Sequence, residues 1–309
     1  MKAKMIALFV LIPFVSQGQV LKWIPFKWTS DTISGRPFEK VAMMVPVSFQ
    51  YLPYKFNMQL DLGAVNTVLY GNTWEAFAES HPELKEKLDS TLTFLIQGKK
   101  NYKLRDIELS LGEVSFGKRN IGYFKEFGDS ITIDSIGPGT EVRIGTIAPD
   151  LFQEGILIID YPNNRICYTS SLPKEYSKAS FLPFKLEKGR IKLPFVINNK
   201  KVDLLFDTGS SLFPLITTMN TAKQVSSGAV VDSFMVASWG RHYMIYGEQT
   251  VVPLKFAKRP LASTIAYYEK EDTMSKFFEK ERIWGITGNA LFLDQIVIID
   301  YVHRRFGVR

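Results

Sequence analysis

Apolar positions fall in short runs bounded by polar turns, the spacing of strands and not of long helices. Val45 to Phe49, Phe56 to Asp61, Ile107 to Leu111, Ile156 to Tyr161, Ile191 to Ile197 and Val202 to Asp207 are each rich in Val, Ile, Leu and Phe. Thr73 to Leu88 is the one stretch that reads as helical: Trp74, Phe77 and Leu84 recur among charged residues, and Pro82 interrupts it, dividing it into two short helices. The expected class is all-β, mostly strand with short helices.

One apolar run stands apart. Met5 to Val15 follows Lys2 and Lys4 and precedes Ser16-Gln17-Gly18. That pattern predicts a signal peptide over 1–18, cut near Gly18/Gln19, and export to the periplasm or the medium. The run is shorter than the roughly 20 residues of a bilayer span, and no later stretch is long and apolar enough, so no integral span is expected in the mature chain.

The pattern then repeats. Ile144-Gly145-Thr146-Ile147-Ala148-Pro149-Asp150-Leu151-Phe152 corresponds to Trp284-Gly285-Ile286-Thr287-Gly288-Asn289-Ala290-Leu291-Phe292. Ile156-Leu157-Ile158-Ile159-Asp160-Tyr161 corresponds, at the same offset, to Ile296-Val297-Ile298-Ile299-Asp300-Tyr301, and Arg165 to Arg305. Upstream, Asn57-Met58-Gln59-Leu60-Asp61-Leu62-Gly63-Ala64 corresponds to Asp203-Leu204-Leu205-Phe206-Asp207-Thr208-Gly209-Ser210. An internal duplication of this extent predicts two lobes of one design: 19–170 carrying Asp61, a connection over 171–187 where Ser, Lys and Pro replace periodicity, and 188–309 carrying Asp207.

Asp207-Thr208-Gly209 leaves an apolar strand and precedes a second apolar run, Leu212 to Ile216. A turn in that setting holds a carboxylate on a rigid loop, with Gly209 letting backbone N–H groups approach it. With these residues the two halves resemble the lobes of the pepsin-like aspartic peptidases, whose pattern is Asp-Thr/Ser-Gly followed by an apolar-apolar-Gly segment, twice. Asp207-Thr208-Gly209 and Ile283-Trp284-Gly285 match it; Asp61-Leu62-Gly63 and Arg143-Ile144-Gly145 match it in part. The resemblance covers about residues 40 to 309. It implies a pepsin-like two-lobed fold and Asp61 and Asp207 as a catalytic dyad supported by Gly63, Thr208, Gly209 and Ser210. It also implies a polypeptide substrate, no cofactor or metal, and a monomer. Asp160 and Asp300, which end strands away from the turns, are expected to be structural.

The departures are specific. Leu62 carries no hydroxyl for an inter-lobe hydrogen bond, whereas Thr208 keeps its own. Ala64 resembles the retroviral peptidases, which place Ala there, and offers Asp61 no hydroxyl; Ser210 is expected to offer one to Asp207. A dyad working nearer neutral pH than pepsin's follows. Family members cover the cleft with a first-lobe hairpin bearing a Tyr. Tyr102 is the only tyrosine between Thr91 and Phe116, and it reads as a strand aromatic. Trp239-Gly240-Arg241-His242-Tyr243 reads as a hairpin tip.

Composition narrows the chemistry further. Cys167 is the only cysteine, so no intrachain disulfide exists, and it reads as a buried apolar residue. That fits an exported bacterial member of the family better than a disulfide-bearing gastric or vacuolar one. The formal net charge is +7, but the basic residues are scattered and form no nucleic-acid stripe. His81, His242 and His303 match no metal motif, no Gly-x-Ser-x-Gly elbow occurs, and Gly137-Pro138-Gly139 reads as a turn. Two functions stay open: an aspartic endopeptidase, and a weak or inactive homologue that binds peptide or envelope components in the cleft.

Overall fold

A computed structural model describes residues 20–309 apart from 50–51, 97, 258, 262–263 and 272; the expected signal peptide lies outside the described residues. In chain order the first half contains β1 (Trp23–Pro25), β2 (Lys27–Ile33), β3 (Arg36–Phe49), β4 (Lys55–Leu60), β5 (Val68–Tyr70), α1 (Gly71–Ser80), β6 (Leu88–Ile96), β7 (Lys99–Leu111), β8 (Val114–Phe124), β9 (Glu141–Ile147), β10 (Ile156–Asp160) and β11 (Arg165–Thr169). The second half contains β12 (Ser180–Pro183), β13 (Lys185–Glu187), β14 (Arg190–Ile197), β15 (Lys200–Phe206), β16 (Leu215–Ile216), α2 (Met219–Lys223), β17 (Ser226–Ser238), β18 (Arg241–Thr250), β19 (Leu254–Phe256), β20 (Arg259–Pro260), β21 (Ile265–Glu269), α3 (Ser275–Glu281), β22 (Gly285–Thr287), β23 (Ile296–Asp300) and β24 (Arg305–Val308). The helical stretch is divided at Pro82 into α1 and a 3-10 turn over Pro82–Lys87.

Three sheets result. One lobe is ordered β2-β3-β4-β9-β5-β8-β7-β6, and the other runs β17-β18-β21-β16-β22-β15-β14-β19-β20. Between β4 and β7 in one lobe and between β15 and β18 in the other, the strand order is the same. Each aspartate turn leaves a central strand that pairs in parallel with the closing strand of its lobe, Leu60 with Ile147 and Phe206 with Thr287.

The third sheet, β1-β11-β10-β23-β24-β12, joins the lobes. Here the duplicated segments pair with each other: β10 and β23 run antiparallel with Ile158 opposite Ile298, the same position in both copies. This explains their unbroken apolar sequence, since both faces of the sheet are buried. Leu157, Ile159, Val297 and Ile299 face the main core, while Ile156, Ile158 and Ile298 pack with Cys167 and Tyr176 on the other side. Cys167 is 1% exposed, and burial pushes its thiol up to about 11. Within 171–187, β12 adds to this sheet beside β24, and β13 forms a hairpin with β14. Upstream of residue 38, β1 forms an edge beside β11, and β2 pairs with β3.

Asp160 and Asp300 end β10 and β23, fully buried. Each closes its own turn: Asp160 accepts from Asn163 and from Arg165 Nε at 2.8 Å, Asp300 from the His303 backbone and from Arg305 Nε at 2.7 Å.

Candidate active site

The two aspartate turns meet where the lobes meet. Backbone amides fix the root of each. Asp61 N donates to Ile147 O at 2.9 Å, and Asp207 N donates to Thr287 O at 2.8 Å. Each carboxylate then accepts from its own turn: Asp61 Oδ1 from Gly63 N at 3.0 Å and Ala64 N at 2.9 Å, and Asp207 Oδ1 from Gly209 N at 2.8 Å.

The glycines let the turns interlock. A Cβ on Gly63 would stand 2.3 Å from Asp207 Cγ, and a Cβ on Gly209 would stand 2.8 Å from Asp61 Cγ. Each carboxylate therefore lies over the glycine of the opposite lobe, which brings the two carboxyl groups close together. Burial, then the charge of Asp207, holds Asp61 well above the ordinary carboxylate value. Burial also raises Asp207, against the pull of its turn amides and the nearby Arg190. Two acids so close titrate as a unit and hold one proton between them over a wide pH range.

Thr208 supports the junction. Its Oγ1 donates to Leu60 O at 2.8 Å and accepts from Leu62 N at 2.9 Å, so one buried hydroxyl ties the Asp61 strand to the other lobe. Leu62, 0% exposed, has no hydroxyl to return and packs into the main core instead. The expected hydroxyl bond from Ser210 to Asp207 is not formed. Ser210 Oγ is buried with no hydrogen-bond partner among the described residues, and only the backbone of Ser210 helps the aspartate.

Sequence reasoning missed a group behind Thr208. Asn289 Nδ2 donates to Thr208 O and to Ser211 Oγ, both at 2.8 Å, while Asn289 Oδ1 accepts from Tyr161 Oη of the other lobe. Asn289 is 0% exposed. The one available signal was the duplication itself, which sets Asn289 opposite Pro149.

A second-lobe hairpin reaches across to the first lobe. By strand order β17–β18 is the counterpart of β6–β7. Trp239 (φ 50) and Gly240 (φ 80) form its tip, both in the left-handed region of a tight hairpin turn. The tip is no simple exposed turn. Trp239 packs on Phe124 and Phe127 of the first lobe, with ring centroids 5.8 Å and 6.0 Å away; Phe124 and Phe127 stack at 4.4 Å, and Tyr70 meets Phe127 edge-on. Lower down, Arg36 of the first lobe pairs with Asp232 at 2.6 Å and lies 4.3 Å over the Phe234 ring. Tyr102 sits within β7 opposite Thr93 and Tyr123, as a strand aromatic. A separate cavity of about 310 Å³, bordered by Trp74, Leu84, Leu104 and Tyr123, contains none of the dyad residues.

Among solved structures, the aspartic proteinase from Irpex lacteus is similar over 94% of this chain and 97% of its own, with a TM-score of 0.50 and 13% identity. The fold is that of the pepsin-like aspartic proteinases. No family model matches the sequence, and no curated protein matches it either. At this identity the likeness concerns the fold alone.

Proposed function

We propose that this chain is an aspartic endopeptidase that hydrolyses peptide bonds with water activated between Asp61 and Asp207. The observation that carries this reading is the reciprocal seating of two buried carboxyl groups, each over the glycine of the other's turn, at the lobe junction. A pair sharing one proton offers a base and an acid at one point. The ionised member takes a proton from water as its oxygen attacks the peptide carbonyl carbon. The protonated member gives its proton to the carbonyl oxygen, forming a neutral gem-diol. Its collapse breaks the C–N bond as the leaving nitrogen is protonated, and the pair is restored. Export through the 1–18 signal and polypeptide substrates belong to the same reading.

Loss of the hydroxyl at Leu62 favours a second reading, a weak or inactive homologue that binds peptide in the cleft. Incubating the mature chain with a mixed-peptide library, beside Asp61→Asn and Asp207→Asn, separates the two. Cleavage by the unmodified chain alone supports the peptidase. Cleavage that survives either substitution overturns the dyad, and peptide retention without cleavage supports the binding protein.

A further inference from the structure

The Asp61 turn lacks one arm of a symmetric inter-lobe grip, because Leu62 has no hydroxyl, yet the second lobe holds this turn at two places. Thr208 holds the strand side. On the far side, Arg190 Nε donates to Gly63 O at 3.0 Å.

Arg190 is well placed for this. It opens β14 directly after the Lys188–Gly189 turn (φ 50 and 79), and a Cβ on Gly189 would lie 3.4 Å from Val65 Cγ1 and O, so that turn is seated on the first lobe just beyond Ala64. Its side chain is 20% exposed and is anchored behind: Nη1 lies 3.5 Å from Oε1 of Glu281, a buried carboxylate at the end of α3, and the Phe277 ring lies 5.4 Å below the guanidinium. The charged groups facing it are Glu281 from α3 and Asp207 from the second-lobe turn, while Lys188 shares Glu281 with it. A planar, anchored guanidinium gives a charge-assisted hydrogen bond of fixed direction, stronger than a hydroxyl's.

We infer that Arg190 is a positioning residue: a second inter-lobe tether that takes the place of the hydroxyl missing at Leu62 and keeps Gly63, and with it Asp61, in register with Asp207. Its activity readout rests on the peptidase reading; its structural readout does not.

The test compares Arg190→Met, Arg190→Lys and Arg190→Met combined with Leu62→Thr. Amide exchange over residues 61–66 is expected to quicken about tenfold in Arg190→Met, to fall between that and the unmodified rate in Arg190→Lys, which keeps the charge without the fixed fork, and to return in the double variant. In peptide cleavage, Arg190→Met is expected to lower kcat roughly tenfold with little change in KM. Its acidic limb moves to higher pH, because a cation facing Asp207 is lost; Arg190→Lys keeps the limb in place. Unchanged exchange and an unmoved limb in Arg190→Met overturn the tether. Exchange that Leu62→Thr fails to restore overturns the replacement of the hydroxyl. If Arg190→Met does not fold, Arg190→Gln is judged by the same two readouts. A chain that cleaves nothing sinks the peptidase reading, while the exchange rates still decide the tether.

Discussion

Gly63 of one lobe lies directly beneath the Asp207 carboxyl group of the other, so closely that a methyl group at 63 would stand 2.3 Å from Asp207 Cγ. The contact is with a carboxyl group held by backbone amides and cannot be relieved by rotating a loose side chain. Gly63→Ala is therefore expected to push the lobes apart and to lower activity by at least about a hundredfold, as misplacement of reacting groups by an ångström does. Gly209→Ala, with 2.8 Å to Asp61 Cγ, should cost somewhat less. Steady-state kinetics on one peptide substrate checks both.

The raised dyad makes stability fall as pH rises. Asp61 binds its proton more tightly in the native state than at the ordinary value of 3.8, because it is buried beside Asp207. Between 3.8 and the raised native value the native state holds the extra proton, so stability is lost as pH climbs through that window. Asp61→Asn removes a group that must ionise while buried. Its Tm should exceed that of the unmodified chain at neutral pH, and the gain should vanish below the ordinary carboxylate range. Calorimetric melts at several pH values decide this.

The same environment sets the rate profile. Neither turn gives its aspartate a hydroxyl hydrogen bond: Ala64 has no hydroxyl, and Ser210 Oγ has no partner among the described residues. The acidic limb of kcat/KM is therefore expected above the usual carboxylate range. A profile that peaks only below about pH 4 contradicts this.

Thr208 satisfies two buried backbone groups at once, Leu60 O and Leu62 N. Thr208→Val keeps the shape and orphans both, at a cost of about 2–4 kcal/mol. Thr208→Ser keeps the hydroxyl and should recover most of it. Urea unfolding of the three chains measures the difference.

Trp239 binds the second-lobe hairpin to the first lobe through Phe124 and Phe127. Trp239→Ala should reduce stability by about 1–2 kcal/mol and speed amide exchange along β17 and β18. Exchange confined to its unmodified rate there would show that the tip carries no inter-lobe load.

Much of the architecture was legible because duplication is a long-range signal written in short-range residues. Two copies of Ile-rich strand with the same Asp-Tyr ending gave the lobes, and apolar strands running into Asp61 and Asp207 located the turns. The support around those turns was not legible, because it depends on where side chains from distant strands arrive. Nothing in the order of residues sets Arg190 against Gly63 or Tyr161 against Asn289. Ser210 shows the opposite error: a hydroxyl close to the right aspartate in sequence, yet making no hydrogen bond to it. Trp239 reads as a turn residue because its partners, Phe124 and Phe127, belong to the other lobe.

The pairing of β10 with β23 about Ile158 and Ile298 has a consequence for the halves taken singly. An antiparallel contact centred on equivalent positions is self-complementary, since each copy presents what the other needs. A severed half would carry a bare, apolar sheet edge that fits a second copy of itself. Separate halves are thus destined to find like or unlike partners instead of remaining solitary, and the covalent link between them serves to choose the unlike pair.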